Sequence, residues 1–155
     1  LEDMFIGFSV CAFSKSRRKN ILSTPKFLFF DTGVRNSASG LLPSPQTVVA
    51  NPGPLFEQWV GIELWKRLGY LGGGRLHYMR TKDGFEIDYI VELTDGSLIP
   101  LEVKWTENPT ARDARHLAKF IDEHRASCKM GYVVCRCGRP MRIADNVTAI
   151  SWKNM

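Results

Sequence analysis

From Leu55 to Leu68 the residues Leu55, Phe56, Trp59, Val60, Ile62, Leu64 and Leu68 recur at helical spacing, which predicts a helix with a wide apolar stripe packed on a sheet. Gly69 reads as its C′ stop, and Gly72-Gly73-Gly74 as a flexible turn. No Lys-Ser/Thr follows those glycines, so they do not make a phosphate loop. The period then changes to two. Leu76 to Thr81, Phe85 to Leu93 and Ser97 to Trp105 read as three strands, separated by the turns Lys82-Asp83-Gly84 and Thr94-Asp95-Gly96. Residues 111–126 return to a helical pattern, with Leu117, Phe120 and Ile121 facing inward. Strands follow at Gly131 to Cys137 and between Val147 and Trp152. The predicted fold class is therefore α/β, with a core order αβββαβ and no internal repeat.

The first third of the chain is less regular. Residues 1–50 read as the tail of a preceding element plus a linker, and 51–155 as the domain proper. Lys26-Phe27-Leu28-Phe29-Phe30 predicts one short strand, closed by Asp31-Thr32-Gly33 as a turn. Residues 36–54, rich in Ser, Pro, Gly and Asn, predict a long mobile connection. The apolar stretch Met4 to Phe13 is too short to span a bilayer. Its positive charge, Lys15 to Lys19, follows it instead of preceding it, which is not the pattern of a signal peptide. The chain starts at Leu1 and reads as a piece of something longer.

Composition supports a globular chain with a real core: 44% of the 155 residues are hydrophobic and 24% charged. The net charge of +5 suits a polyanionic partner, although the excess is modest. The four cysteines, Cys11, Cys128, Cys135 and Cys137, form no C-x-x-C pair and have no histidine at zinc spacing. They read as reduced thiols of a cytoplasmic protein.

The run Leu98-Ile99-Pro100-Leu101-Glu102-Val103-Lys104-Trp105 carries the chemistry. Strand alternation sends Glu102 and Lys104 to one face and Leu101, Val103 and Trp105 to the other. Charges within a run fit for burial require pairing or a metal. The preceding strand carries Asp88. A two-residue Asp95-Gly96 loop would place Asp88 opposite Val103. A three-residue Thr94-Asp95-Gly96 loop with Gly96 left-handed places it opposite Glu102. Two such carboxylates repel unless a cation lies between them, and hard oxygen ligands suit Mg²⁺ or Mn²⁺. Lys104 is placed to orient a water and to stabilise negative charge. Glu57, on the first helix, is the candidate third carboxylate, with Glu63 its rival.

Helix-borne Glu57, then Asp88, then Glu102-Val103-Lys104, in this order of elements, resembles the PD-(D/E)XK nuclease superfamily. More closely, Lys26 to Gly33, Leu55-Phe56-Glu57, Arg80 to Asp88 and Pro100 to Lys104 resemble the C-terminal domain of a family of prokaryotic AAA-type P-loop ATPases. The resemblance implies a restriction-endonuclease-like mixed central sheet flanked by helices. It implies Mg²⁺ held by Asp88, Glu102 and the carbonyl of Val103, with Lys104 positioning the water and Glu57 as the helix carboxylate. The expected activity is phosphodiester hydrolysis of nucleic acid, DNA foremost, with the ATPase domain as partner and no membrane. No Walker A sequence occurs in these residues. The rival reading is a non-catalytic nucleic-acid- or protein-binding module of such an ATPase. A third is homo-oligomerisation through the apolar residues 4–30.

Other residues carry weaker signals. Glu86 shares the Asp88 face by strand period and reads as a rim residue. Arg112, Arg115, Lys119 and Arg125 line one helix face, either solvated or tracking phosphates. His77, His116 and His124 have no metal-ligand spacing and receive no role. Trp59 and Trp65 read as packing residues.

Overall fold

The computed structural model describes residues 2, 5–14, 24–42 and 44–155. Eight strands form one mixed sheet: β1 (Gly7–Ala12), β2 (Lys26–Phe29), β3 (Arg75–Arg80), β4 (Glu86–Glu92), β5 (Leu98–Val103), β6 (Gly131–Cys135), β7 (Met141–Ala144) and β8 (Val147–Ser151). Their order across the sheet is β2-β1-β3-β4-β5-β6-β8-β7. The central β3-β4-β5 meander is antiparallel, while β1 joins β3, β6 joins β5 and β8 joins β6 in parallel. The helices are α1 (Thr32–Ala38), α2 (Pro45–Ala50), α3 (Pro52–Tyr70) and α4 (Arg115–Glu123), with a final 3₁₀ turn at Trp152–Asn154.

Each face of the sheet has its own core. On one, α3 buries Phe56, Val60, Ile62, Leu64 and Leu68 against Tyr89, Val91, Leu101 and Val103. On the other, Leu117, Phe120 and Ile121 of α4 pack on Ile87, Ile90, Val133 and Ala149. Phe120 and Tyr89 are fully buried, each contributing roughly 1.5–3 kcal/mol of apolar burial or more. The alternation of β4 and β5 serves both cores at once, which is why these strands show little exposed surface.

The expected helix and the three central strands are present with boundaries shifted by a few residues. The stop of α3 differs. Gly69 lies inside the helix, and termination falls on the triple glycine. Gly73 N–H bonds to Leu68 C=O at 3.0 Å and Gly72 N–H to Gly69 C=O at 3.3 Å, a Schellman arrangement that needs the positive φ of Gly72 (81°). The N-terminal third also differs from the expected tail and linker. Phe8, Val10 and Ala12 of β1, with Leu28 of β2, join the α3-side core. Asp31 does not simply turn the chain: its Oδ1 accepts from Val34 N–H at 2.8 Å and caps α1. Part of the expected mobile connection is helical, because Ser44 caps α2 with Pro45 at its first position. Residues 1, 3, 4, 15–23 and 43, which include the basic run and part of the residues 4–30 patch, lie outside the described residues. No helix among the described residues is long and apolar enough to cross a membrane.

Gly61 sets how closely α3 approaches the sheet. A Cβ there would collide with the Tyr89 hydroxyl and with Leu28 Cδ1. That contact lets Tyr89 Oη donate to the carbonyl of Glu57 at 2.9 Å, which fixes α3 over β4. Nothing lies within 4 Å of a Cβ added at Gly69 of the same helix. Gly61→Ala is therefore expected to lower stability by about 1–3 kcal/mol through overpacking, despite the better helix propensity of Ala. Gly69→Ala, free of that clash, is expected to be neutral or stabilising by up to about 1 kcal/mol. Denaturant unfolding of both variants checks the contrast, and equal effects would contradict it.

Candidate functional site

The β4–β5 hairpin is closed by a three-residue loop. Leu93 N–H bonds to Ser97 C=O at 2.9 Å, Gly96 N–H to Leu93 C=O at 3.0 Å, and Gly96 has φ 82°. The ladder pairs Glu92 with Leu98, Val91 with Ile99, Ile90 with Pro100 and Tyr89 with Leu101. Continued by one residue, that register sets Asp88 opposite Glu102, whose charge acts on it; an odd loop permits this register and an even one forbids it.

One position beyond, at Val103, the ladder is continued by a side chain. Asp88 Oδ2 accepts the backbone N–H of Val103 at 2.8 Å. A bulge explains why Asp88 is free to turn this way. His77 pairs with Ile90 and Met79 with Ile87, so Asp88 and Tyr89 together stand opposite the single residue Tyr78. The extra residue breaks alternation: Ile87 and Ile90 both enter the α4-side core, while Tyr89 enters the α3-side core. Glu86 consequently does not share a face with Asp88 through simple period two. It pairs with Arg80 at 3.4 Å, at the rim.

Glu102 and Lys104 do share a face. Lys104 Nζ meets Glu102 Oε1 at 2.7 Å, and the two line a cavity of about 200 Å³ with Arg112, Asp113, Arg115 and His116. Glu102 Oε2 is buried and has no hydrogen-bond partner among the described residues. Glu57 lies on the α3 side, paired with Lys26 at 2.8 Å. Glu63, the rival, pairs with Lys66 at 2.9 Å within the helix.

Electrostatics ties these groups together. Burial raises the Asp88 carboxyl to about 7, helped by the charges of Glu102 and Glu57 and opposed by the Val103 N–H and Lys26. Burial also raises Glu102, against the hydrogen bond and charge of Lys104. For Lys104, burial alone would lower the ammonium, but the bond to Glu102 and the charges of Glu102, Asp88 and Asp113 outweigh it and the net shift is upward. Asp88 thus stands at the seam between the faces, sensing Glu57 on one side and Glu102 on the other.

Two participants carry no signal strong enough to be found in the sequence. Lys26 opens an apolar strand, yet its Nζ lies between Glu57 and the rings of Tyr78 and Tyr89, at 5.2 and 5.7 Å from their centroids. His116, without ligand spacing, borders Glu102 because α4 packs across β4 and β5. Trp59 and Trp65 are aromatic packing residues: Trp59 lies against Phe56, and Trp65 against Phe8 and Phe30. The four cysteines are free thiols.

The raised Asp88 carboxyl has a defined consequence for stability without divalent cation. Below the ordinary value of 3.8 the carboxyl is neutral in both folded and unfolded chains. As pH rises toward about 7 the unfolded chain ionises first, so the folded state loses stability on the order of a few kcal/mol through this group. Asp88→Asn removes the titration and keeps an acceptor for Val103 N–H. The variant is expected to gain in melting temperature over the parent protein as pH goes from 4 to 8 in EDTA. Thermal unfolding across that range measures it, and a constant difference would refute the raised carboxyl.

Comparison with curated proteins and with solved structures gives no match. A family model does match, over residues 52–155, and so covers α3, the strand meander, α4 and everything after it. The chain belongs to the family described as Domain of unknown function (DUF4143).

Proposed function

We propose that this chain is a nuclease-like domain that hydrolyses phosphodiesters of nucleic acid, DNA foremost, with Mg²⁺ or Mn²⁺ as cofactor. The observation that carries the reading is the rung that brings Asp88 beside Glu102, with Lys104 bonded to Glu102 at 2.7 Å. Two carboxylates raised by burial, Asp88 also by the charge of Glu102, are costly to keep without a cation. The buried, unpartnered Oε2 of Glu102 fits a hard cation, which accepts carboxylate oxygens of this kind. Among the described residues no three His, Cys, Asp or Glu side chains converge into a cage. The donor set that the resemblance implies is two carboxylates, Asp88 and Glu102, and the backbone carbonyl of Val103, with remaining positions left to water and phosphate.

A divalent cation there supplies a Lewis acid that polarises the phosphoryl oxygen and eases deprotonation of water. The chain's own residues do the rest. Asp88 is held by Val103 N–H and cannot swing away. Lys104 presents its ammonium at the cavity, where it orients a water in line with the departing oxygen and stabilises the charge that develops. Glu57 adds negative charge from the α3 side, tempered by Lys26. The resemblance of Lys26 to Gly33, Leu55 to Glu57, Arg80 to Asp88 and Pro100 to Lys104 to the C-terminal domain of AAA-type ATPases supports a setting in which an ATPase domain is the partner.

The second reading is a binding module of the same fold that does not cleave, since a fold does not by itself carry an activity. Cleavage assays on single- and double-stranded DNA and RNA, with Mg²⁺ or Mn²⁺, decide between them. Expected is metal-dependent cleavage that falls by about 10²–10³-fold in Lys104→Ala and at least as far in Asp88→Ala. Cleavage that survives both substitutions would remove the mechanism. No cleavage together with tight nucleic-acid binding would establish the module reading.

A further inference from the structure

Of the four cations that the sequence places along the second helical segment, the fold separates two from the others. Arg125 pairs with Asp122 at 2.9 Å, and Lys119 lies over the ring of Phe85 at 5.3 Å. Arg112 and Arg115 have no carboxylate partner among the described residues, and both border the 200 Å³ cavity that contains Glu102 and Lys104. The nearby carboxylate of Asp113 is engaged elsewhere: its Oδ2 accepts from Thr110 N–H at 2.8 Å and from the Thr110 hydroxyl at 3.0 Å. Guanidiniums without a carboxylate partner, gathered at one cavity with the Lys104 ammonium, form a site for an anion.

Arg115 is held in place. His116 Nδ1 lies 2.8 Å from the carbonyl of Glu86 and 3.4 Å from the Glu86 N–H; the shorter contact is made with the proton on Nδ1, donated to the carbonyl. The Nε2 lone pair is then free to accept from Arg115 Nη2 at 3.1 Å. His116 is a positioning residue that turns the guanidinium along the cavity wall. Beyond Arg115 and His116 the surface opens into a second cavity of about 460 Å³, bordered by Phe85, Lys119 and the β3–β4 turn. The two cavities share Arg115 and His116 as a common wall. A lone phosphate ester needs only the smaller one. Room for an adjoining nucleotide favours a strand.

We infer that Arg112 and Arg115 bind the phosphate adjacent to the scissile one, and that the nucleic-acid strand runs from Glu102–Lys104 past Arg115 toward Phe85. The identity of the ligand rests on the nuclease reading; the location of the anion site does not. Binding of labelled single-stranded and duplex oligonucleotides to the full chain, followed by fluorescence anisotropy in EDTA, tests it with no cleavage involved. Arg112→Ala and Arg115→Ala are each expected to weaken binding by about 3–10-fold and to reduce the salt slope by about 1. Arg125→Ala, whose guanidinium is already paired, leaves both unchanged. His116→Ala weakens binding, and His116→Gln, with one donor and one acceptor, restores it. Equal losses in Arg125→Ala and Arg115→Ala would overturn the assignment, as would no binding by the parent protein at low salt. Displacement of the oligonucleotide by inorganic phosphate at equal concentration would place a small phosphate ester there and overturn the strand. Failure of cleavage with these binding effects intact would refute catalysis alone.

Discussion

The contact on which the candidate site depends is the one between the Asp88 carboxylate and the Val103 N–H, at 2.8 Å. It sits where the β4–β5 ladder would otherwise continue with a backbone bond. Replacing that bond with a carboxylate keeps Val103 N–H satisfied and brings a negative charge into the sheet beside Glu102. The price is a buried carboxylate beside another, visible in the Asp88 carboxyl, which burial raises first and the Glu102 charge raises further. Lys26 and Lys104 offset part of it from opposite sides, one through Glu57 and one through Glu102. Each lysine reaches the seam from a different face, so the arrangement requires both faces of the sheet to be in place.

That requirement explains features that look unrelated along the chain. The bulge opposite Tyr78 lets β4 give Tyr89 to one core and Ile87 and Ile90 to the other while Asp88 turns toward β5. Gly61 lets Tyr89 reach the Glu57 carbonyl, which holds the helix carboxylate near Asp88. Across the sheet, Leu117, Phe120 and Ile121 seat α4 so that Arg112, Arg115 and His116 close a cavity over Glu102 and Lys104. Packing on each face positions one part of the polar site, and neither part is complete on a single face.

Much of this was legible in the sequence, for a physical reason in each case. The stripe from Leu55 to Leu68 is long and periodic, so the helix is evident without its neighbours. The paired Asp-Gly turns bound the meander, and Gly96, at φ 82°, makes the odd loop that brings Asp88 beside Glu102. Period two alone puts Glu102 and Lys104 together. The N-terminal third was less legible because β1 and β2 are short and draw their stability from pairing with each other and from α3, not from local pattern. Glycine counts also mislead locally: Gly69 looks like a stop but is helical, since the Schellman bonds form only at the run that follows.

By itself the sequence determined the α/β class, the long helix, the meander and the shared face of Glu102 and Lys104, because these follow from periods of 3.6 and 2. Only the tertiary structure decided the rest. It set Glu57 where its charge reaches Asp88, and it brought in Lys26 from a strand 31 residues away. It also sorted equivalent-looking cations into paired and unpaired ones by where α4 crosses the sheet. A charge on a helix face has no sequence signature of what lies opposite it; packing of the two apolar faces fixes that, and the polar groups go where the packing carries them.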